Sequence, residues 1–199
     1  MRITIANNKG GTGKTTTSLY LATAATEAGY NPLILDTDQD NATAERWAYQ
    51  AEKNGTPLPF PVKSGNILAL DRDYPNNPIF IDTPGSSGKM FNAAIASADL
   101  IIVPSGASKS DVSTTWNVIE EITHTKQEHA QVVVLVTQHK NGTKAAREII
   151  AAFKEDGQPI VEFTIPLLES INQAYGTVPS PLHGYDTLWH VLANTYIEN

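Results

Sequence analysis

The sequence predicts a doubly wound α/β domain, with a mostly parallel sheet and helices on both faces. Three observations carry that expectation. Short apolar, β-branched runs alternate along the chain with longer alanine- and leucine-rich stretches of helical period. Several of the apolar runs end in an aspartate or a glycine-rich loop, and α/β sheets bind ligands just beyond the carboxyl ends of their strands. The 199 residues suffice for one such domain with a sizeable core, and no repeat or low-complexity linker divides them, so a single domain over 1–199 is expected.

The elements follow in order. Residues 2–6 read as the first strand, 7–13 as a loop, and 14–28 as a helix that Gly29 stops. Residues 32–35 form a short buried strand ending at Asp36, and 42–53 a helix. Pro57, Pro59 and Pro61 make 55–61 a loop or a sheet edge. Residues 78–81 are a strand ending at Asp82, and 100–103 another, closed by Pro104. Residues 110–128 are helical, and the β-branched run 131–136 is a central strand. A helix over 143–155, a strand over 160–165 and a terminal helix over 185–197 complete the pattern.

Composition narrows the function. A formal charge of −7 argues against nucleic-acid binding spread over the whole surface, while leaving room for a local basic patch. The absence of cysteine excludes disulfides, Cys-ligated zinc and iron–sulfur clusters. The start does not resemble a signal peptide, and no apolar run approaches the roughly 20 residues of a spanning helix, so a cytoplasmic protein without membrane attachment is expected. His124, His129, His139, His183 and His190 are scattered without metal-ligand spacing. Trp47, Trp116 and Trp189 lie in helical stretches and are expected to pack.

The strongest local signal is Asn8-Lys9-Gly10-Gly11-Thr12-Gly13-Lys14-Thr15-Thr16, placed between the first strand and the first helix as a phosphate-binding loop requires. Gly10, Gly11 and Gly13 let the backbone wrap phosphate oxygens and aim N–H groups at them. The helix opening near Lys14 adds its positive dipole end. Lys14 can reach the β- and γ-phosphates of ATP, and the Thr15 hydroxyl can ligate Mg²⁺. One position departs from the ordinary pattern: Asn8 stands where a glycine is usual, and a second lysine, Lys9, sits just inside the loop.

Lys9-Gly10-Gly11-Thr12-Gly13-Lys14-Thr15-Thr16 resembles the deviant Walker-A box of the ParA/MinD family of P-loop ATPases. The resemblance continues at Leu33-Ile34-Leu35-Asp36-Thr37-Asp38 and at Ile79-Phe80-Ile81-Asp82-Thr83-Pro84-Gly85, the Walker-B stretch. It is specific over 1–45 and 79–85 and loose beyond about residue 140. Chemistry lets Asp82 hold Mg²⁺ through water and Asp36 support the metal shell. The resemblance implies that Asp38 positions the attacking water, and that Lys9 crosses a dimer interface to the partner's ATP, acting as an arginine finger does. Aspartates after strands also cap helices, which is the alternative for Asp36 and Asp38. Relatives hold adenine with loops after the later strands; here Gln138 offers a hydrogen bond to the base edge and Pro166 a surface for the ring, with ordinary loop residues as the alternative.

Length and the lack of an added DNA-binding module resemble the short plasmid-partition ParA proteins. That implies an ATP-dependent homodimer, weak ATP hydrolysis stimulated by a centromere-binding adaptor, and non-specific DNA binding that segregates a plasmid. Lys140, Lys144, Arg147 and Lys154 share one helical face and are the candidate DNA contacts, although Glu148 and Glu155 lie nearby. Many relatives carry arginines shortly after the late-strand Ile-Pro; here Leu167, Leu168 and Glu169 follow Pro166. The alternatives are a positioning ATPase for a cargo other than DNA and a P-loop synthetase or kinase. A MinD-like membrane cycle would require a basic amphipathic C-terminal helix, and 185–199 contains no Lys or Arg.

Overall fold

The computed structural model describes residues 1–139, 144–155 and 160–197, with the side chains at 109, 139, 144–147, 149 and 160–163 outside that description. The chain runs β1 (Arg2–Ile5), α1 (Lys14–Glu27), β2 (Leu33–Asp36), α2 (Thr43–Lys53), β3 (Val62–Ser64), α3 (Ile67–Leu70), β4 (Ile79–Asp82) and α4 (Lys89–Ala96). It continues through β5 (Leu100–Ser105), α5 (Lys109–Thr125), β6 (Gln131–His139), α6 (Lys144–Glu155), β7 (Ile160–Pro166), α7 (Glu169–Gln173) and α8 (Tyr185–Tyr196). The strands form one seven-stranded sheet in the order β3-β2-β4-β1-β5-β6-β7, and every strand pair is parallel.

The two-residue period of the strands builds both cores. Ile3, Ile5, Ile34, Phe80, Leu100, Ile102, Val133 and Leu135 face one side, where α1 and α8 cover them with Leu19, Tyr20, Leu188 and Trp189. Their neighbours Leu33, Leu35, Ile79, Ile81, Ile101, Val103, Val134 and Val136 face the other side, against α4, α5 and α6. α1 is buried almost all round because the sheet lies on one side and α8 on the other, so it carries Ala, Thr and Leu instead of a polar face.

One expectation needs correction. Pro104 does not close its strand, which runs on to Ser105. Ile102 and Pro104 turn their backbone groups toward β1, which ends there; Ala6 N donates to Ile102 O at 2.9 Å, and Asn7 Nδ2 takes the Pro104 carbonyl at 2.7 Å. A proline beside the end of a neighbouring strand loses little. The run at 131–136 is an interior strand, as expected, paired with β5 and β7, and β1 holds the middle of the sheet. β3, α3, α4 and α7 are elements the sequence did not announce.

Candidate active site

The carboxyl ends of β1, β2, β4, β5 and β6 gather the polar groups. After β1 the loop rises to Gly13, which starts α1 with φ +90°. Gly11 also lies in the left-handed region, φ +76°, where a side chain is strained. Gly10 and Gly11 are exposed, and a Cβ built on either would meet nothing within 4 Å, so the loop's outer face is open to a ligand. An open cradle of backbone N–H groups at a helix N-terminus fits a phosphate chain.

The loop is braced from below. Asn7, fully buried, accepts from Lys9 N at 2.9 Å while its amide holds Pro104 O. Thr137 Oγ1 donates to Thr12 O at 2.9 Å, and Gln138 Nε2 to Gly11 O at 2.7 Å. Lys14 Nζ donates to Lys9 O at 3.2 Å, across the cradle. Lys14 is 8% exposed; burial pulls its pKa down, and the charges of Asp82 and Asp38 pull it back up.

Asp82 is as fully buried as Asp36. Thr15 Oγ1 donates to Asp82 Oδ2 at 2.6 Å and Ser18 Oγ to Oδ1 at 3.4 Å. Burial pushes its pKa up to about 7, against the opposing hydrogen bond from Thr15. Thr15 and Asp82 form an all-oxygen donor pair beside the cradle, the donor chemistry a hard divalent cation takes. Among the described residues no cluster of three or more His, Cys, Asp or Glu could hold a metal ion.

Asp36 is committed to backbone. Its Oδ2 accepts from Ala44 N at 2.9 Å and Glu45 N at 3.1 Å, and its Oδ1 from Asp38 N at 3.1 Å. Ala42 begins α2 with φ 45° and no side-chain cap, so Asp36 supplies the missing cap from the end of β2. Desolvation raises its pKa against those three bonds. Asp38, half-buried, accepts Asn41 N at 3.2 Å and Asn41 Nδ2 at 3.0 Å, and its charge is felt by Lys14.

Lys9 does not face the cradle. Its Nζ lies 2.5 Å from Asp111 Oδ1 at the start of α5, where Asp111 also accepts Ser108 N at 3.0 Å in a capping box. The Lys9 ammonium and its hydrogen bonds hold the Asp111 carboxyl below its ordinary range, against a partial desolvation. Asp111 was not singled out from the sequence, and nothing local links it to Lys9.

A cleft beside the cradle is lined by Thr16, Gln138, Pro166, Leu168, Ile171 and Tyr185, so both expected base contacts meet in one place. Gln138, with φ 56°, spends its amide on Gly11. Of the candidate DNA contacts, Lys140 lies outside the described residues, as do the side chains of Lys144 and Arg147; Lys154 is exposed on α6. Among the described residues no helix is long and apolar enough to cross a membrane.

Comparison with known proteins agrees with this geometry. The family model for the CobQ/CobB/MinD/ParA nucleotide binding domain matches residues 3–178. The protein ParA of Rhizobium radiobacter is 28% identical over 176 residues, covering 84% of this chain and 78% of its own. Among solved structures, a plasmid partition protein of Borrelia burgdorferi bound to AMPPNP is similar with a TM-score of 0.74 and 18% identity, over 97% of this chain and 96% of its own. Cobyrinic acid a,c-diamide synthase of Mycobacterium smegmatis, with a bound ATP analogue and magnesium, gives 0.76 and 18%, over 99% and 95%. At that identity the two structures speak for the fold.

Proposed function

The chain belongs to the CobQ/CobB/MinD/ParA nucleotide-binding family, and on that premise we propose that it is a Mg²⁺-dependent ATP hydrolase that works as an ATP-bound homodimer. Its role is DNA segregation with a centromere-binding adaptor. The observation that carries the chemistry is the triad of Lys14, Asp82 and Asp38 around one open cradle, with Thr15 bonded to Asp82. The likeness to a ParA protein supports the role.

In this reading Lys9 through Thr16 wrap the phosphates, and Lys14 neutralises the β- and γ-oxygens. Thr15 and Asp82 would hold Mg²⁺, which would supply positive charge at the phosphates. Asp36 stands behind them, fixing α2 and Asp38 N. Asp38 orients the attacking water and takes its proton. Gln138 and Pro166 flank the adenine. Lys9 leaves Asp111 and enters the partner's site, where it offsets charge that develops in phosphoryl transfer. DNA contact would come from Lys144, Arg147 and Lys154 of α6 together with Lys140, which precedes it in the sequence, pooled over two chains and strongly salt-dependent.

The test is Asp38→Ala, sized by light scattering with ADP and with ATP plus Mg²⁺, then titrated onto duplex DNA at two salt concentrations. The expected result is intact ATP binding, no hydrolysis and an ATP-only dimer that binds DNA more weakly at higher salt. Normal hydrolysis removes Asp38 from catalysis. A monomer with ATP removes the trans role of Lys9. An ATP dimer indifferent to DNA moves the cargo elsewhere.

A further inference from the structure

The wall of the base cleft is bonded to the helix that starts at the Asp38 loop. α7 contributes Ile171 and Asn172 to the cleft. Directly after it the chain turns, and Ala174 O accepts Thr177 N at 3.0 Å and Thr177 Oγ1 at 2.7 Å. That turn sits on α2. Trp47, buried, donates from Nε1 to Thr177 O at 2.8 Å, and its ring lies 5.4 Å from that of Tyr175. Asn54 Nδ2 donates to Gly176 O at 2.7 Å. Gly176 has φ +74°, and a Cβ there would stand 2.5 Å from Gln50 Cγ, so the turn is seated without room for a side chain. At the other end of α2, Ala44 N and Glu45 N hold Asp36, which also holds Asp38 N. Ala42 N closes the loop on Asp38 O at 2.6 Å.

We infer that Trp47 is a positioning residue that makes the placement of Asp38 depend on what fills the base cleft. This rests on the role given to Asp38 above. A base in the cleft packs on Leu168, Ile171 and Asn172 and so fixes α7. The 174–177 turn follows α7 in the chain, and two of its carbonyls are held by α2. α2 in turn starts on Asp36 and the Asp38 loop, so each link is a hydrogen bond or a covalent neighbour. A triphosphate without a base fills the cradle and leaves the wall unsupported. The coupling is a free energy between cleft and loop, and it is measurable as one.

Hydrolysis of Mg·ATP and of Mg·tripolyphosphate is compared in the wild type, Trp47→Phe and Asn54→Asp. Phenylalanine keeps an aromatic ring without the donor, and aspartate keeps the shape of asparagine without an N–H. Thermal melts check folding, and the exposed Asn54 site keeps the test available should Trp47→Phe not fold. The expected kcat for ATP falls about three- to tenfold with KM changed less than about twofold, while kcat for tripolyphosphate is unchanged. Equal loss on both substrates makes Trp47 a structural residue and overturns the inference, as does no loss on either. Hydrogen exchange in the Asp38→Ala protein supplies a readout without hydrolysis. Amides at 36–46 should be better protected by Mg·ATP than by Mg·tripolyphosphate, and Trp47→Phe should abolish the difference. Equal protection by both ligands overturns the coupling whatever Asp38 does, and normal hydrolysis by Asp38→Ala refutes the catalytic reading alone.

Discussion

Replacing Asp82 by asparagine should stabilise the ligand-free protein at neutral pH while destroying its response to Mg²⁺ and nucleotide. The folded carboxyl has its pKa pushed from 3.8 up to about 7 by burial. Between those values the folded state keeps a proton the unfolded state has lost, so stability falls as pH rises, and the full cost stands above 7. Below 3.8 both states are protonated and the cost vanishes. At about 1.4 kcal/mol per pH unit the ceiling is roughly 4 kcal/mol. Asparagine removes that cost but also takes from buried Lys14 its foremost counter-charge, which returns part of it, leaving an expected gain of roughly 2 kcal/mol at pH 8. Urea melts at pH 4 and pH 8, with and without Mg·ADP, measure it. Wild type and Asp82→Asn should agree within about 1 kcal/mol at pH 4 and diverge at pH 8, and only the wild type should gain from Mg·ADP over ADP alone. A difference independent of pH, or a variant less stable at pH 8, would refute the reasoning.

Lys14→Ala removes the buried cation of the cradle, and calorimetric affinity for ATP should fall at least about a hundredfold; retention within about threefold sinks the phosphate assignment. Asp111→Asn keeps an acceptor for Ser108 but removes the charge that holds Lys9. Such a pair near the surface is worth about 0.2–1 kcal/mol and the dimer breaks two of them, so the ATP dimer should form at roughly two- to thirtyfold lower protein concentration in light scattering, and a shift to higher concentration contradicts the cis hold. Gly176→Ala puts a Cβ at φ +74° within 2.5 Å of Gln50 Cγ. It should cost roughly 1–3 kcal/mol in a urea melt, and a change below about 0.5 kcal/mol would show the turn is not seated as described.

The first strand, the phosphate loop, α1, Asp36 and Asp82 were legible because each is encoded within a few neighbouring residues. A buried parallel strand needs an apolar run, and a phosphate cradle needs glycines where φ is positive. What escaped is either short or long-range. β3 reads Val62-Lys63-Ser64 because an edge strand has a neighbour on one side and keeps two of its three residues exposed. α3 and α7, of four and five residues, are too short to show a period. The cap on α2 comes from Asp36, eight and nine residues before the amides it holds, whereas a sequence search looks for a cap next to the helix. The bond between Lys9 and Asp111 spans 102 residues and has no local signature.

Under the proposed function, the balance of charge would make a lone chain a poor site for a triphosphate at its reactive end. Asp82 and Asp38 act on the buried cation Lys14, Asp36 lies beside Asp82, and the second lysine of the loop is turned away to Asp111. A polyanion entering such a site meets backbone N–H groups and one ammonium, but also three carboxyls. Two additions reverse that sign: a divalent cation at Thr15 and Asp82, and a further cation beyond the γ-phosphate. Lys9 of the same chain cannot give the second while Asp111 holds it at the flank of the cradle. A second copy facing the first can, because each Lys9 released from Asp111 then meets the other chain's phosphates. On the proposed function, the deviant lysine and the acid-rich end of the cradle would be one requirement: a site short of positive charge until metal and partner arrive together would tie the hydrolytic cycle to assembly.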